Sequence, residues 1–305
     1  MTSKNKVDLT VVGSIALDTI ETPQAKRAEV LGGSCSYACA AASFFTTSGM
    51  VGVVGKDFPA GHEALYRQLG IDTAGLQKMP GQTFRWSGVY EENMNRRHTL
   101  STDLNVFEAF SPELPEAYSA APFMLLGNIA PALQLQVLEQ AAASPYVVAD
   151  TMDLWIRETP RDLEKVLARC TMLMINDDEA RLLTGESNLR KSARQILEMG
   201  PSSVVIKRGE YGGAWVSDEG IFLAPAYPVP DVVDPTGAGD SFAGAFLGAL
   251  AEAGSLDSAA VRRALMYGSV VASFGVGGFG LEAFRDLSRE KIDARLQELR
   301  LMIQC

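Results

Sequence analysis

Short apolar runs and longer stretches of helical periodicity take turns along most of this chain. Val7 to Gly13 has the pattern of a buried strand, and Met50 to Val54 is a second, shorter one. Between them, Ser34 to Phe45 is rich in small residues and predicts a helix entered from Gly32 and Gly33. Pro59 to Leu69 predicts another, closed by Gly70. After Phe107 the alternation becomes regular. Strands are predicted at Phe123 to Leu126, Tyr146 to Ala149, Met172 to Ile175 and Val204 to Lys207. Helices are predicted near Ala132 to Ala143, Arg161 to Ala168, Asp177 to Thr184 and Leu189 to Met199. Strand and helix in strict succession argue for a parallel sheet covered by helices on both faces. Two more helices, near Ser258 to Phe274 and Leu287 to Leu299, finish the chain.

The middle of the chain departs from this pattern. Thr83 to Glu91 and Arg97 to Asp103 alternate around a polar stretch, as in a hairpin. With the segment around Asp18 to Val30 they predict a small β-lid over the main sheet, formed by about 16–31 and 82–104. Ala214 to Val216 and Ile221 to Leu223 predict a second hairpin. With no repeat, low-complexity tract or long linker, the expectation is one α/β domain over 1–305 with the lid inserted in it.

Composition narrows the function classes. Apolar content of 47% and charged content of 21% fit a soluble globular protein. A net charge of −10 argues against nucleic acid or an anionic membrane as partner. No apolar stretch approaches the roughly 18 residues of a membrane span, and the N-terminus lacks the apolar core of a signal peptide. Cys35, Cys39, Cys170 and Cys305 show no zinc or redox spacing, which fits reduced thiols in a cytoplasmic protein. With only His62 and His98, a histidine metal site or a histidine-dependent triad is not expected. A P-loop signature is also absent from the sequence.

The strongest chemical signal is Asp234-Pro235-Thr236-Gly237-Ala238-Gly239-Asp240. Pro235 biases Asp234 toward extended backbone, so a strand is expected to end there. Gly237, Ala238 and Gly239 then allow the amides up to Asp240 to converge ahead of a helix predicted from Ser241 to Ala253. Such a helix start is an anion site. An acid at its rim, Asp240, suits removal of a hydroxyl proton beside a phosphate. Taken alone, the segment also reads as a tight turn with Asp240 capping a helix. Asn176 and Glu179 have the spacing of a capping box, with Asp177 and Asp178 favourably placed in the first turn.

At these residues the chain resembles the ribokinase/PfkB family of carbohydrate and nucleoside kinases, whose C-terminal signature has the form D-T-x-G-A-G-D. Four further motifs match in order: Gly13 to Asp18, Gly32-Gly33, Asn176 to Glu179, and Lys207 to Gly212. The resemblance implies a ribokinase-like fold, an open, mostly parallel sheet with helices on both faces. It implies ATP and Mg2+ as cofactors, with K+ as a further candidate. Asp240 would be the catalytic base, and Gly237, Ala238 and Gly239 the anion hole. Asp18, Gly32 and Gly33 would meet the acceptor. Asn176 and Glu179 would organise Mg2+ through water; Lys207, Gly209, Gly239 and Gly275 would border the nucleotide. Asp234 and Thr236 would hold the monovalent cation.

The sequence departs from the family at Tyr37, where an Asn commonly binds the substrate hydroxyls. It also departs after Asp150, where an expected Asn and Arg are missing, so Asp150 carries over only weakly. Arg85, Arg96 and Arg97 fall on the lid, as do Phe84, Trp86 and Tyr90 at alternating positions. The implied activity is phosphorylation of a hydroxymethyl group on a small sugar. A ribonucleoside such as adenosine is the rival acceptor, and a catalytically silent nucleotide or sugar sensor the rival class. The exposed lid edges suggest a homodimer through the lid.

Overall fold

The computed structural model describes residues 6–142 and 144–304. Its strands are β1 (Leu9–Val12), β2 (Ala16–Glu21), β3 (Lys26–Gly32), β4 (Ser48–Val54), β5 (Asp72–Lys78), β6 (Phe84–Tyr90), β7 (Arg97–Asp103), β8 (Phe123–Leu126), β9 (Tyr146–Asp150), β10 (Met172–Asn176), β11 (Ser203–Lys207), β12 (Gly213–Ser217) and β13 (Gly220–Ala224). Nine form one sheet in the order β13-β12-β11-β10-β9-β8-β1-β4-β5. It is parallel from β11 to β5, and the β12–β13 hairpin adds the antiparallel edge. This is the open, mostly parallel α/β sheet that the resemblance implies.

The period-two geometry of a strand sends successive side chains to opposite faces, and each face of this sheet meets its own core. Met172 and Met174 of β10 join one cluster with the helices Ser34–Ala42, Ala238–Ala253 and Ser258–Gly275. Leu173 and Ile175 join the other, with Pro131–Gln140, Pro160–Leu167 and Leu189–Glu198. The central strands are apolar because neither face sees water. Gly244 lets the helix Ala238–Ala253 close onto Ser34–Ala42: a Cβ there would lie 2.0 Å from the Ala38 carbonyl oxygen. That contact fixes the register between the two helices that border the site.

The other four strands form a sheet in the order β3-β2-β6-β7. The hairpin β6–β7 is antiparallel, as its alternation predicts, and β2 joins β6 in parallel. Trp86 pairs in register with Asp18, which brings the two sequence-distant segments together.

Three expectations need correction. The strand ending at Asp234 is absent: residues 225–234 are irregular, held where the Val233 and Asp234 amides donate to the Val276 carbonyl at 2.8 and 3.2 Å. The following helix starts at Ala238, not Ser241, so Asp240 lies inside its first turn. Asp18 lies within β2 of the smaller sheet and does not follow a strand of the main one. Strand β5 went unread because Asp72 to Lys78 carries few apolar side chains and pairs with β4 only.

Among the described residues no helix is long and apolar enough to cross a membrane. The thiols of Cys35, Cys39 and Cys170 are free and buried. The readings at the extreme N-terminus, at Ala143 and at Cys305 lie outside the described residues.

Candidate active site

Three neighbouring strands end side by side at polar residues, as expected where an open α/β sheet binds ligands. Asn176 ends β10 opposite Lys207 of β11, and Asp150 ends β9. Lys207 Nζ lies 2.9 Å from Asp150 Oδ2, with little of either side chain reaching solvent. Asn176 and Glu179 do form the capping box: Asn176 Oδ1 accepts the Glu179 amide at 2.8 Å, and Glu179 Oε2 accepts the Asn176 amide at 3.0 Å. Burial, aided by the charge of Asp150, pushes the Glu179 carboxyl up to about 7, while Lys207 opposes the shift.

Gly237 caps the helix Ala238–Ala253 with φ 74°, a left-handed conformation that favours glycine. The Ser241 amide donates to the Gly237 carbonyl at 2.8 Å, and the Ala238 amide turns back to Pro235 at 3.2 Å. Ala238 therefore directs its amide into the turn. The amides of Gly239 and Asp240 occupy the open helix end, where the first turn has no internal acceptor. Lys207 reaches this end too: its Nζ lies 3.2 Å from where a Cβ on Gly239 would stand.

Asp240 is half-buried beside this end of the helix. Burial and then the charge of Asp150 push it up to about 7, against the pull of Lys207 and Arg97. Asp150, Glu179, Asp240 and Lys207 thus form one electrostatic unit.

On the other side of Gly237 lies a second group. Asp18 is 3% exposed and its carboxylate rests against Gly32, where a Cβ would lie 1.9 Å from Oδ2. Burial first, then the charge of Asp234, push its carboxyl up to about 8. Gly33 leads into the helix Ser34–Ala42 with φ 92°. The ring of Tyr37 lies against Gly237, so that a Cβ there would fall 2.2 Å from the Tyr37 ring.

Asp234 is 1% exposed and fastens the loop: Oδ1 accepts the Thr236 amide at 2.9 Å, and Oδ2 the Gly280 amide at 3.4 Å. Burial raises its pKa, and the Thr236 hydroxyl with those two N–H donors opposes the rise. The hydroxyls of Tyr90 and Thr236 lie 2.9 Å apart, tying β6 to the same loop.

A cavity of about 440 Å³ opens beside Lys207 and Gly239. Gly209 lines it, as do Ala272, Ser273 and Val276. Asn93 and Asn95, from the tip between β6 and β7, also line it, and Asn95 Nδ2 donates to Glu210 Oε1 at 3.4 Å. The smaller sheet therefore meets the main one above this cavity. Gly275 is not part of its wall, and its α-carbon faces the Phe284 ring instead.

A sequence model of the pfkB family of carbohydrate kinases matches residues 5–283. The chain belongs to the pfkB family. It is 31% identical over 248 residues to a cytidine kinase of Thermococcus kodakarensis, a match covering 79% of this chain and 87% of that one. Its backbone is similar to the ribokinase of Giardia lamblia, with a TM-score of 0.80 and 21% identity over 96% of this chain and 99% of that one. An E. coli protein described as a ribokinase II and solved with ATP and Mg2+ gives a TM-score of 0.79 at 20% identity, over 96% and 99% of the two chains. This pfkB-family kinase is accordingly a phosphotransferase with a hydroxyl acceptor, a sugar or a nucleoside.

Within this kinase the structure gathers Asp18, Gly32, Gly33, Tyr37, Asp234, Thr236 and Gly237 on one side of the loop. It gathers Asn176, Glu179, Lys207, Gly209 and Gly239 on the other, with Asp240 facing both. Three residues that the sequence named without a firm role take one here. Asp150 is the counter-ion of Lys207, Tyr90 clamps Thr236, and Arg97 acts on Asp240 and Glu179 while stacking 5.8 Å from the Trp86 ring. Of the other residues singled out on the hairpin, Arg85 pairs with Glu29 and with Asp57, the latter at 2.9 Å, and Phe84 stacks on Phe107.

Proposed function

We propose that this kinase transfers the γ-phosphoryl group of ATP to a hydroxymethyl oxygen of its acceptor, with Asp240 as the general base. One observation carries the reading. Asp240 sits in the open first turn of the helix Ala238–Ala253, between the Asp18–Tyr37 wall and the cavity beside Lys207. An acceptor against the first and a triphosphate in the second would meet at its carboxylate.

Asp240 takes the hydroxymethyl proton as the acceptor oxygen attacks phosphorus. Phosphoryl transfer has a loose transition state, so orientation and late proton removal suffice. The helix-end amides of Gly239 and Asp240, supported by the turn at Gly237 and Ala238, stabilise charge on the moving group. Lys207, held by Asp150, adds a fixed positive charge on the same side. Asp18 and Gly33 orient the acceptor, and the smaller sheet acts as a lid that excludes water.

The carboxylates around Lys207 offer hard oxygen donors, which suit Mg2+. Among the described residues no group of three or more acidic, His or Cys side chains could enclose a metal. The ion would be held near Glu179 and Asn176, largely through water and phosphate. When bound, Mg2+ neutralises charge on the phosphates. The ATP and Mg2+ bound by the E. coli protein support ATP and Mg2+ as the cofactors. Asp234 is a buried acid beside the Thr236 hydroxyl, and the two suit a monovalent cation such as K+.

We favour a nucleoside acceptor over a free sugar, because the cytidine kinase relative is 31% identical over 79% of this chain. A catalytically silent sensor has no need of a base at the open helix end. A coupled ADP-release screen with Mg2+, K+ and ATP against nucleosides, pentoses, hexoses and sugar phosphates tests the proposal. Acceptor-dependent ADP release above a no-enzyme blank supports it. ATP binding with no turnover on any acceptor would favour the sensor.

A further inference from the structure

The last helix, Arg289–Met302, holds part of the wall of the cavity beside Lys207. Arg295 of that helix is not itself a lining residue, yet it touches three residues around the cavity. Its Nη1 donates to Ser273 Oγ at 3.0 Å. Its guanidinium carbon lies 3.4 Å from the centre of the Phe274 ring and 4.6 Å from that of Tyr227. One turn further on, Glu298 Oε2 accepts the Tyr227 hydroxyl at 2.8 Å. Ser273 and Tyr227 both line the cavity. Arg295 lies beyond the residues that match the pfkB family.

The hydroxyl protons decide what this wall can recognise. Three lining residues carry a hydroxyl: Ser269, Ser273 and Tyr227. A hydroxyl has one proton, and each of these gives it to an acceptor within the protein. Ser269 Oγ donates to the Pro225 carbonyl and Ser273 Oγ to the Val270 carbonyl, both at 2.6 Å, and Tyr227 donates to Glu298. Toward a ligand these oxygens can only accept. Arg295 fixes that sense at Ser273, because a guanidinium has no lone pair and only donates. Held between Arg295 and the Val270 carbonyl, the hydroxyl cannot reverse.

We infer that Arg295 is a positioning residue that keeps Ser273 and Tyr227 as hydrogen-bond acceptors, so that the cavity selects a phosphoryl donor whose base carries an amino group. That base is an aminopurine in preference to its 6-oxo analogue. This rests on the reading above that the triphosphate occupies this cavity, with its phosphates toward Lys207 and Gly239. A base belongs against the apolar remainder of the wall, which Ala226, Pro228, Val229, Ala272 and Val276 supply. Ser269, Ala272, Ser273 and Val276 recur at the spacing of one helix face, so the serines border that apolar strip. An amino N–H meets a lone pair there. A 6-oxo group would set oxygen against oxygen and leave both unpaired and out of water.

The test is kcat/KM for ATP and for ITP, its 6-oxo counterpart, at a saturating acceptor. Wild type, Arg295→Met and Ser273→Ala are compared, with calorimetric binding of both nucleotides in parallel and melting temperatures to establish folding. The wild type is expected to prefer ATP by roughly 10- to 100-fold. Arg295→Met frees the Ser273 hydroxyl to turn its proton toward a 6-oxo group, so the preference should shrink to within about threefold. Ser273→Ala should lose the preference mainly through weaker ATP, with ITP nearly unchanged. Acceptor KM should stay within about twofold in both variants. Equal losses on ATP and ITP in Arg295→Met would mean that the residue only braces the wall, and would overturn the inference. A wild type indifferent to the 6-position would overturn it as well. If neither nucleotide is turned over with any acceptor, the phosphotransferase reading fails on its own. A calorimetric preference for ATP, lost in both variants, would then still uphold the role of Arg295, and equal binding of the two nucleotides to the wild type would overturn it.

Discussion

Lys207 reaches across β10 to Asp150, with 2.9 Å between Nζ and Oδ2, and the same ammonium borders the Gly239 end of the helix Ala238–Ala253. One charge pair thus joins two sheet strands to the turn that precedes Asp240. Removing one partner of a buried pair leaves the other uncompensated, which costs about 3–5 kcal/mol. Asp150→Ala should therefore lower the unfolding free energy by about that amount, read from urea denaturation at pH 7. An unchanged midpoint would mean the pair contributes no more than an exposed one.

The pH dependence of catalysis follows from the same unit. Asp240 must be ionised to act, and burial with the charge of Asp150 holds its pKa at about 7. The rate constant kcat/KM should rise with pH through a limb near 7 and then level off. Lys207 favours the ionised form, so Lys207→Met should move the limb to higher pH. A profile flat from pH 5 to 9 in the wild type would remove Asp240 as the titrating base.

Stability of the ligand-free protein should run the other way. Asp18, Asp240 and Glu179 have folded-state values of about 8, about 7 and about 7, above their ordinary 3.8, 3.8 and 4.5. Between those limits the folded state binds more protons than the unfolded state, so these three groups make stability fall as pH rises from about 4 to about 8. Mg2+ with ATP favours ionised carboxylates beside the phosphates and should offset part of this loss at pH 8. Thermal denaturation with and without ligand at pH 5 and pH 8 measures both effects.

Tyr90 and Thr236 meet through hydroxyls 2.9 Å apart, a side-chain contact between β6 and the loop that precedes the helix Ala238–Ala253. Tyr90→Phe keeps the ring in its cluster with Ile20 and Phe279 and removes the bond. Loss of one such bond is worth about 0.5–1.5 kcal/mol. Acceptor KM should rise about 2- to 10-fold, with the melting temperature nearly unchanged. An unaltered KM would mean the lid docks without this contact.

Much of this was legible in the chain. The strands β8 to β11 stand where their apolar runs place them, because a strand buried on both faces has no polar half to blur its limits. The helix Asp177–Thr184 has its predicted bounds, since Asn176 and Glu179 cap it reciprocally. What failed to show depends on long-range contact. Tyr90 and Thr236 are 146 positions apart, and Lys207 and Asp150 are 57 apart. No local pattern announces either pair. The segment before Asp234 was misread because an extended residue before a proline need not belong to a sheet, and here its amide bonds to Val276 in the loop after a helix. Ala272, Ser273 and Val276 line the cavity, whereas Gly275, one position before Val276, faces Phe284.

The central claim is that Asp240 removes the acceptor proton. The most direct measurement is single-turnover phosphoryl transfer by Asp240→Asn, with ATP affinity measured in parallel, on the best acceptor from the screen. The account predicts a rate lowered by about 10²–10⁴-fold, the range for loss of a general base, with ATP binding little changed. A transfer rate equal to that of the wild type would contradict it.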